Sequence, residues 1–205
     1  MGELILVRHG ETEWSRAHRH TGRTDLPLTA RGEEQARVLR GALADRRIVR
    51  TLASPAARAR RTAELAGLDP DDLDPDLWEW DYGGYEGITS AAIRKDRPGW
   101  FLWDDGVIPG DAAHPGETVE QVGKRADAVL ARLRPLLADA DTAGAADGGD
   151  VALVAHGHVL RVLTARWLDL VPARGRSFAL ETGTVSALGT EHGRPVISAW
   201  NVPPP

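Results

Sequence analysis

The sequence predicts an α/β fold: a three-layer sandwich in which helices flank a mostly parallel central sheet, with an edge hairpin near the C-terminus. Three observations point to it. Short apolar runs suited to buried strands alternate with stretches of helical periodicity, the order that a parallel sheet with crossover helices requires. Two of these runs end alike, LILVRHG at 4–10 and VALVAHG at 151–157. Two late runs, 184–190 and 195–200, flank EHGRP as the arms of a hairpin.

Residues 3–8 form the first predicted strand, followed by a helix over 30–46 and a strand from Ile48 to Ala53. Helices are predicted at 56–66 and 89–96. A longer one at 118–138 has the clearest signal, because Thr118 and Gln121 have capping-box spacing. Val119, Val122, Ala126, Val129, Leu133 and Leu136 fall on its apolar face. Pro135 is expected to kink or end this helix. ADADTAGAADGGD (138–150) reads as a flexible surface loop. A strand at 151–155 and a helix at 158–168 precede the hairpin. No solenoid-period repeat is present, and residues 1–205 read as a single domain.

Composition narrows the function. The 205 residues are 42% hydrophobic and 27% charged, with a formal net charge of −5. That balance provides no global basic field for nucleic acid or an anionic membrane. The chain has no cysteine, which removes disulfides, thiolate chemistry and cysteine zinc sites. The apolar run in MGELILVRHG is too short for a signal peptide or a membrane span, so a cytoplasmic protein is expected.

In a parallel sheet, ligands bind beyond the carboxyl ends of the strands. The two similar runs place His9 and His156 there, each followed by a glycine that lets backbone N–H groups approach an anion. If those strands are neighbours, two imidazoles and Arg8 face one small space. SPAARARRTAEL (54–65) adds Arg58, Arg60 and Arg61 at a helix start, where phosphate is favoured. Arg60 and Arg61 read as a solvated face.

LVRHGETEWS (6–15) resembles the signature of the histidine phosphatase superfamily, in its phosphoglycerate-mutase-like branch. HTGRTDLPLTARGEEQA (20–36), ASPAARARRTAEL (53–65), LWEWDYGGYEG (77–87), HPGET (114–118) and VALVAHGHVLR (151–161) follow in the family's order. The resemblance covers almost the whole chain. It implies that His9 is a nucleophile that becomes phosphorylated. It further implies that Arg8, Arg58, His156 and Gly157 hold phosphoryl oxygens, and that Glu79 is general acid and base. Ser15 stands where many relatives have asparagine, as a candidate phosphate contact. Thr21 and Gly22 match a loop that closes over substrate in mutase relatives. HTGRTDLPLT and EWDYGGYEG look most like members described as acid phosphatases or sugar bisphosphatases.

The chemistry suits these residue types. A phosphomonoester spreads negative charge over three equatorial oxygens during displacement. Guanidiniums match those oxygens with paired hydrogen bonds, and the only lysines, Lys95 and Lys124, lie outside the family blocks. An alkoxide leaves poorly unless protonated, which a carboxylic acid can do. Glu79 is preferred for that role, with Glu11 and Glu86 as rivals, and activity is expected to be better at mildly acidic pH.

His156 with His158, and His18 with His20, have a spacing that supports a metal only weakly; no metal or cofactor is expected. Trp78, Trp80, Trp100 and Trp103 read equally as packing or as an apolar wall beside the leaving group. Arg94, Lys95 and Arg97 read as a solvated helix end in preference to a second-phosphate site. The short, cation-poor segment 88–113 favours a phosphatase over a mutase, and a non-catalytic phospho-ligand-binding domain ranks last. The expected partner is a small phosphorylated substrate or inorganic phosphate, with a homodimer left open.

Overall fold

The computed structural model describes residues 2–142 and 149–204. The strands are β1 (Leu4–Arg8), β2 (Ile48–Ala53), β3 (Asp72–Leu73), β4 (Asp150–Ala155), β5 (Val185–Glu191) and β6 (Arg194–Val202). The helices are α1 (Glu13–Arg16), α2 (Ala30–Leu43), α3 (Ala57–Leu65), α4 (Ser90–Asp96), α5 (Leu102–Asp105), α6 (Val119–Thr142) and α7 (Gly157–Trp167). Short 3-10 turns cover Pro75–Leu77, Gly83–Tyr85 and Pro172–Ser177.

One six-stranded sheet has the order β3-β2-β4-β1-β5-β6. The first four strands of that order run parallel, while β5 and β6 are antiparallel. The continuous apolar run in β1 follows from burial on both faces. Leu4 and Leu6 pack with α6 and α7 residues such as Val129, Leu133 and Leu160. Ile5 and Val7 pack oppositely, with Leu39 of α2 and Ala59 and Ala63 of α3. Each buried Leu, Ile or Val among them contributes about 1.5–3 kcal/mol. The predicted α/β sandwich and edge hairpin are present, with the hairpin turning on His192 and Gly193 at φ of 49° and 74°. Two consecutive positive φ values suit the twist of a two-residue hairpin loop.

The long helix departs from its predicted outline. Its capping box forms, with Gln121 Oε1 accepting from Thr118 N and Thr118 Oγ1 accepting from Gln121 N. The helix continues through Pro135 to Thr142, so backbone read as the start of a loop is helical. The remainder of that predicted loop, 143–148, lies outside the described residues. Burial of Leu133 and Leu137 on either side of Pro135 offsets the hydrogen bond that proline cannot make. Leu136, placed on the apolar face from the sequence, is 46% exposed; Leu130 and Leu137 are buried instead. The short elements α1, β3 and α5 had not been predicted. Among the described residues, no helix is long and apolar enough to cross a membrane.

Candidate active site

The pairing of β1 with β4 sets the site. Arg8 lies opposite Ala155 in the parallel register, so the next residues, His9 and His156, leave the sheet side by side. Their ring centroids are 5.1 Å apart with planes at 65°. The His9 backbone N–H still donates to Ala155 O at 2.9 Å, which ties the exit of β1 to β4. Gly10 follows because the chain passes the start of α2: a Cβ there would sit 2.2 Å from Gly32 O.

The His9 ring lies 2.7 Å through Nδ1 from Gly10 O. A carbonyl only accepts, so Nδ1 carries the proton and Nε2 keeps its lone pair. Burial, then the charges of Arg58 and Arg8, hold the His9 imidazole well below its usual pKa, against the opposing Gly10 bond. His156 is constrained at both nitrogens. Arg58 Nε donates to His156 Nδ1 at 3.1 Å, which leaves the proton on Nε2, directed at Ser54 Oγ at 2.7 Å. Burial and then Arg58 keep this ring neutral as well.

Arg58 sits in the first turn of α3 and is fully buried. Besides His156 it donates to the carbonyls of Thr24 and Gly22 at 2.9 Å, and to Thr21 O at 3.4 Å. All three guanidinium nitrogens are thereby engaged. Arg8 differs. Its Nη1 donates to Leu180 O, while Nε is the one buried side-chain nitrogen or oxygen without a hydrogen-bond partner among the described residues. A Cβ on Gly157 would lie 3.2 Å from the Arg8 guanidinium carbon, so the glycine allows that guanidinium to lie against the start of α7. Burial lowers the pKa of both arginines, opposed chiefly by the charge of Glu79.

Glu79 distinguishes itself from its rivals by where it points. It is 5% exposed and accepts from its own neighbour Trp80 N and from His158 N and Val159 N, each at 2.9 Å. The last two are free N–H groups of the first turn of α7, whose N-cap His156 makes no side-chain cap. Glu11 instead accepts from Thr29 Oγ1 at 2.8 Å, beside the start of α2. Glu86 accepts from Gly22 N and Thr24 N, holding the loop whose carbonyls receive Arg58.

Arg8, His9, Ser15, Thr21 and Glu79 line one cleft of about 190 Å³, together with Tyr82, His158 and His18–His20. Tyr82 OH is 2.7 Å from His158 Nδ1, and burial followed by the charge of Glu79 raises its phenol pKa well above the usual value. The Ser15 hydroxyl bonds to Thr12 N and Thr12 O, so it closes the cap of α1 while lining the cleft. The sequence reading did not single out Ser54 or Tyr82. Both lie inside quoted blocks, but nothing in a serine or tyrosine there announces a contact with a distant histidine.

The tryptophans divide. Trp80, Trp100 and Trp103 are buried, whereas Trp78 is half-buried and lies parallel to the His156 ring at 6.4 Å. Arg94, Lys95 and Arg97 are exposed at the end of α4, as a solvated helix end, with Arg94 donating to Trp100 O and Arg97 to Tyr85 OH. Among the described residues, no group of three or more His, Cys, Asp or Glu side chains is placed to hold a metal ion.

Known proteins share this fold over nearly the whole chain. The family model of the histidine phosphatase superfamily (branch 1) matches residues 4–203. An acid phosphatase of Mycobacterium tuberculosis is 40% identical over 93% of this chain and 87% of its own length. A sedoheptulose 1,7-bisphosphatase of Saccharomyces cerevisiae is 37% identical over 81% of this chain and 67% of its own. A probable phosphoglycerate mutase of an Enterobacter species is 31% identical over 98% of this chain and 91% of its own. Among solved structures, an open reading frame product of M. tuberculosis superposes with a TM-score of 0.88 and 35% identity over 100% of this chain and 99% of that one. A mycobacterial glucosyl-3-phosphoglycerate phosphatase in complex with VO3 gives 0.80 and 28%, over 98% and 100%. The chain belongs to branch 1 of the histidine phosphatase superfamily.

Proposed function

We propose that the protein is a phosphomonoesterase acting on small phosphorylated metabolites through a phosphohistidine at His9, with side chains alone carrying the reaction. The observation that carries this reading is the orphaned Arg8 Nε, a buried donor on a cationic side chain whose residue lines the same cleft as the neutral His9 imidazole. Such a donor costs free energy until an anion meets it. The cleft is smaller than the roughly 300–1,000 Å³ of pockets for drug-sized ligands, which suits a compact substrate. The acid phosphatase and bisphosphatase among the relatives support the same class.

In the first step His9 Nε2 attacks phosphorus, the phosphorus–ester oxygen bond breaks, and the departing oxygen takes the proton of the Glu79 carboxylic acid. Arg8, Arg58 and His156, whose Nε2–H would turn from Ser54 Oγ to the bound anion, stabilise the equatorial oxygens. Gly157 allows the Arg8 guanidinium its position. In the second step water attacks the phosphohistidine, passes a proton to Glu79, and releases orthophosphate with neutral His9. Thr21 and Gly22 form the rim that Arg58 and Glu86 secure, and Ser15 shapes the cleft. The single sheet running through the chain supports reading residues 1–205 as one domain. Arg94 and Arg97 are exposed, tied to Trp100 O and Tyr85 OH, and do not line the cleft, which favours the hydrolase over a mutase, a reaction that needs cations for a second anionic group.

The test is phosphate release from a panel of phosphomonoesters, with EDTA present and with bisphosphoglycerate added separately. It is paired with trapping of an acid-labile phosphoenzyme that His9→Ala abolishes. Isomerised monophosphate without net phosphate release would replace this reading with the mutase.

A further inference from the structure

The loop that presents Glu79 is held from behind by a residue that does not line the cleft. Arg125, on α6, donates from Nη1 to Asp76 O at 2.6 Å and to Trp78 O at 2.9 Å, and from Nη2 to Glu79 O at 3.5 Å. It also closes a fork on Glu117, with Nε to Oε1 and Nη2 to Oε2 both at 2.8 Å. Glu117 is stitched to the same loop. Its Oε2 accepts from Asp81 N at 3.0 Å, its N–H donates to Asp81 O at 3.0 Å, and its carbonyl accepts from Trp80 Nε1 at 2.8 Å. Both side chains are mostly buried, at 15% and 14% exposure. Burial by itself would raise the Glu117 pKa, and Arg125 outweighs it, so the pair stays charged.

This arrangement has a specific geometric consequence. After the 3-10 turn at Pro75–Leu77, residues 78–82 belong to no strand or helix, so their polar backbone groups need partners from elsewhere. Arg125 takes the carbonyls of Trp78 and Glu79, and Glu117 takes the N–H of Asp81. The Glu79 side chain then runs the opposite way, to the start of α7. The groups that would hold the phosphoryl oxygens come from other elements: Arg8 from β1, Arg58 from α3, and His156 from the end of β4.

We infer that Arg125, oriented by Glu117, is a positioning residue for proton transfer by Glu79, with its hydrogen bonds on the Glu79 loop and on Glu117 and none to Arg8, Arg58 or His156. The inference rests on the acid role proposed for Glu79. It predicts a loss that depends on the leaving group. An alkyl phosphate needs its oxygen protonated on departure, whereas p-nitrophenolate leaves without help. A misplacement of about 1 Å in a catalytic group can cost about 10²-fold.

The experiment measures kcat/KM, which reports phosphoenzyme formation, for p-nitrophenyl phosphate and glycerol 3-phosphate. The variants are Arg125→Gln, Arg125→Lys, Glu117→Gln and, for reference, Glu79→Gln. Arg125→Gln is expected to lose about 10²-fold on the alkyl ester and under about threefold on the aryl ester. Glu79→Gln is expected to show the same selectivity, and Arg125→Lys to recover only part, because an ammonium cannot span the fork. If Arg125→Gln fails to fold, the ratio of the two substrates in Arg125→Lys and Glu117→Gln decides. Equal losses on both esters, or none, in folded Arg125 and Glu117 variants would overturn the positioning role even if Glu79→Gln is selective. If Glu79→Gln shows no selectivity, the acid role and the inference fall together. If no ester is hydrolysed by the unmodified protein, the phosphatase reading itself fails first.

Discussion

Replacing Arg8 by methionine separates function from stability at one position. The guanidinium donates to Leu180 O but leaves Nε buried and unpaired, and it lies near the charges of Glu79 and Glu181. In the free protein Arg8→Met strands the Leu180 carbonyl, a cost of about 1–3 kcal/mol. It also removes an orphaned donor and a buried charge, a gain of similar size. The net change should stay within about 2 kcal/mol, or roughly 4–8 °C in Tm for a chain of this length. An anion in the cleft meets the donor that methionine lacks. A hydrogen bond to a charged group is worth about 1.5–3 kcal/mol, so orthovanadate affinity should fall about 10- to 150-fold. The reaction should slow by about 10²–10³, the usual cost of removing one such electrostatic contact. Differential scanning fluorimetry with and without orthovanadate, together with phosphate release, measures all three. A variant that unfolds far below the parent yet is stabilised equally by orthovanadate would refute the assignment of Arg8 Nε to the anion.

Further outcomes follow from the same geometry. Ser54→Ala deprives the His156 Nε2–H of its acceptor and should cost about 1–3 kcal/mol of stability, part of which orthovanadate restores; a larger Tm rise with vanadate than in the parent checks it. Gly10→Ala sets a methyl against Gly32 O and should destabilise by about 1–3 kcal/mol in urea titration, since both partners are backbone. Glu86→Gln should reduce kcat/KM by less than about tenfold, whereas Glu79→Gln should reduce it by about 10²–10⁴ on alkyl phosphates; a reversed order would exchange their roles. His9, His156 and His158 are held below the ordinary imidazole value, and His20 falls to about 4, so between that value and about 6.5 the unfolded chain binds more protons than the folded one. Stability should therefore be full above about pH 6.5 and decline as pH falls through that window, which urea midpoints at pH 7.5 and 5 would reveal. For the same reason the free His9 imidazole stays neutral in mild acid, so with His9 as the proposed nucleophile the kcat/KM profile should show no acid limb near 6.5.

Much of the fold was legible because strand signals are local. Leu4 to Val7 are apolar without alternation, and the structure buries them on both faces of one sheet. The outline of α6 was less legible, since Pro135 is a local helix breaker whose effect is outweighed by Leu133 and Leu137 packing into the core. Leu136 was misplaced for a related reason: a helical face read from periodicity has no fixed orientation until the partner surface is known. At the site, the His-Gly repeats and the arginine of α3 could be recognised as a set. The choice of Glu79 over Glu11 and Glu86 rested on family resemblance, because three carboxylates in one chain carry no local mark of their partners.

By itself the sequence determined which residues can form buried strands, where the charge and imidazoles lie, and which family the motifs resemble, because these depend on residue type and short-range spacing. The tertiary structure decided the rest. The β1–β4 register brings His9 beside His156. Arg58 and Ser54 select the His156 tautomer, Gly10 O selects that of His9, and Arg125 reaches from α6 to hold the loop behind Glu79. Apart from the His9–Gly10 bond between neighbours, each of these is a hydrogen bond or a register between segments far apart in the chain, and such contacts exist only once the core has packed.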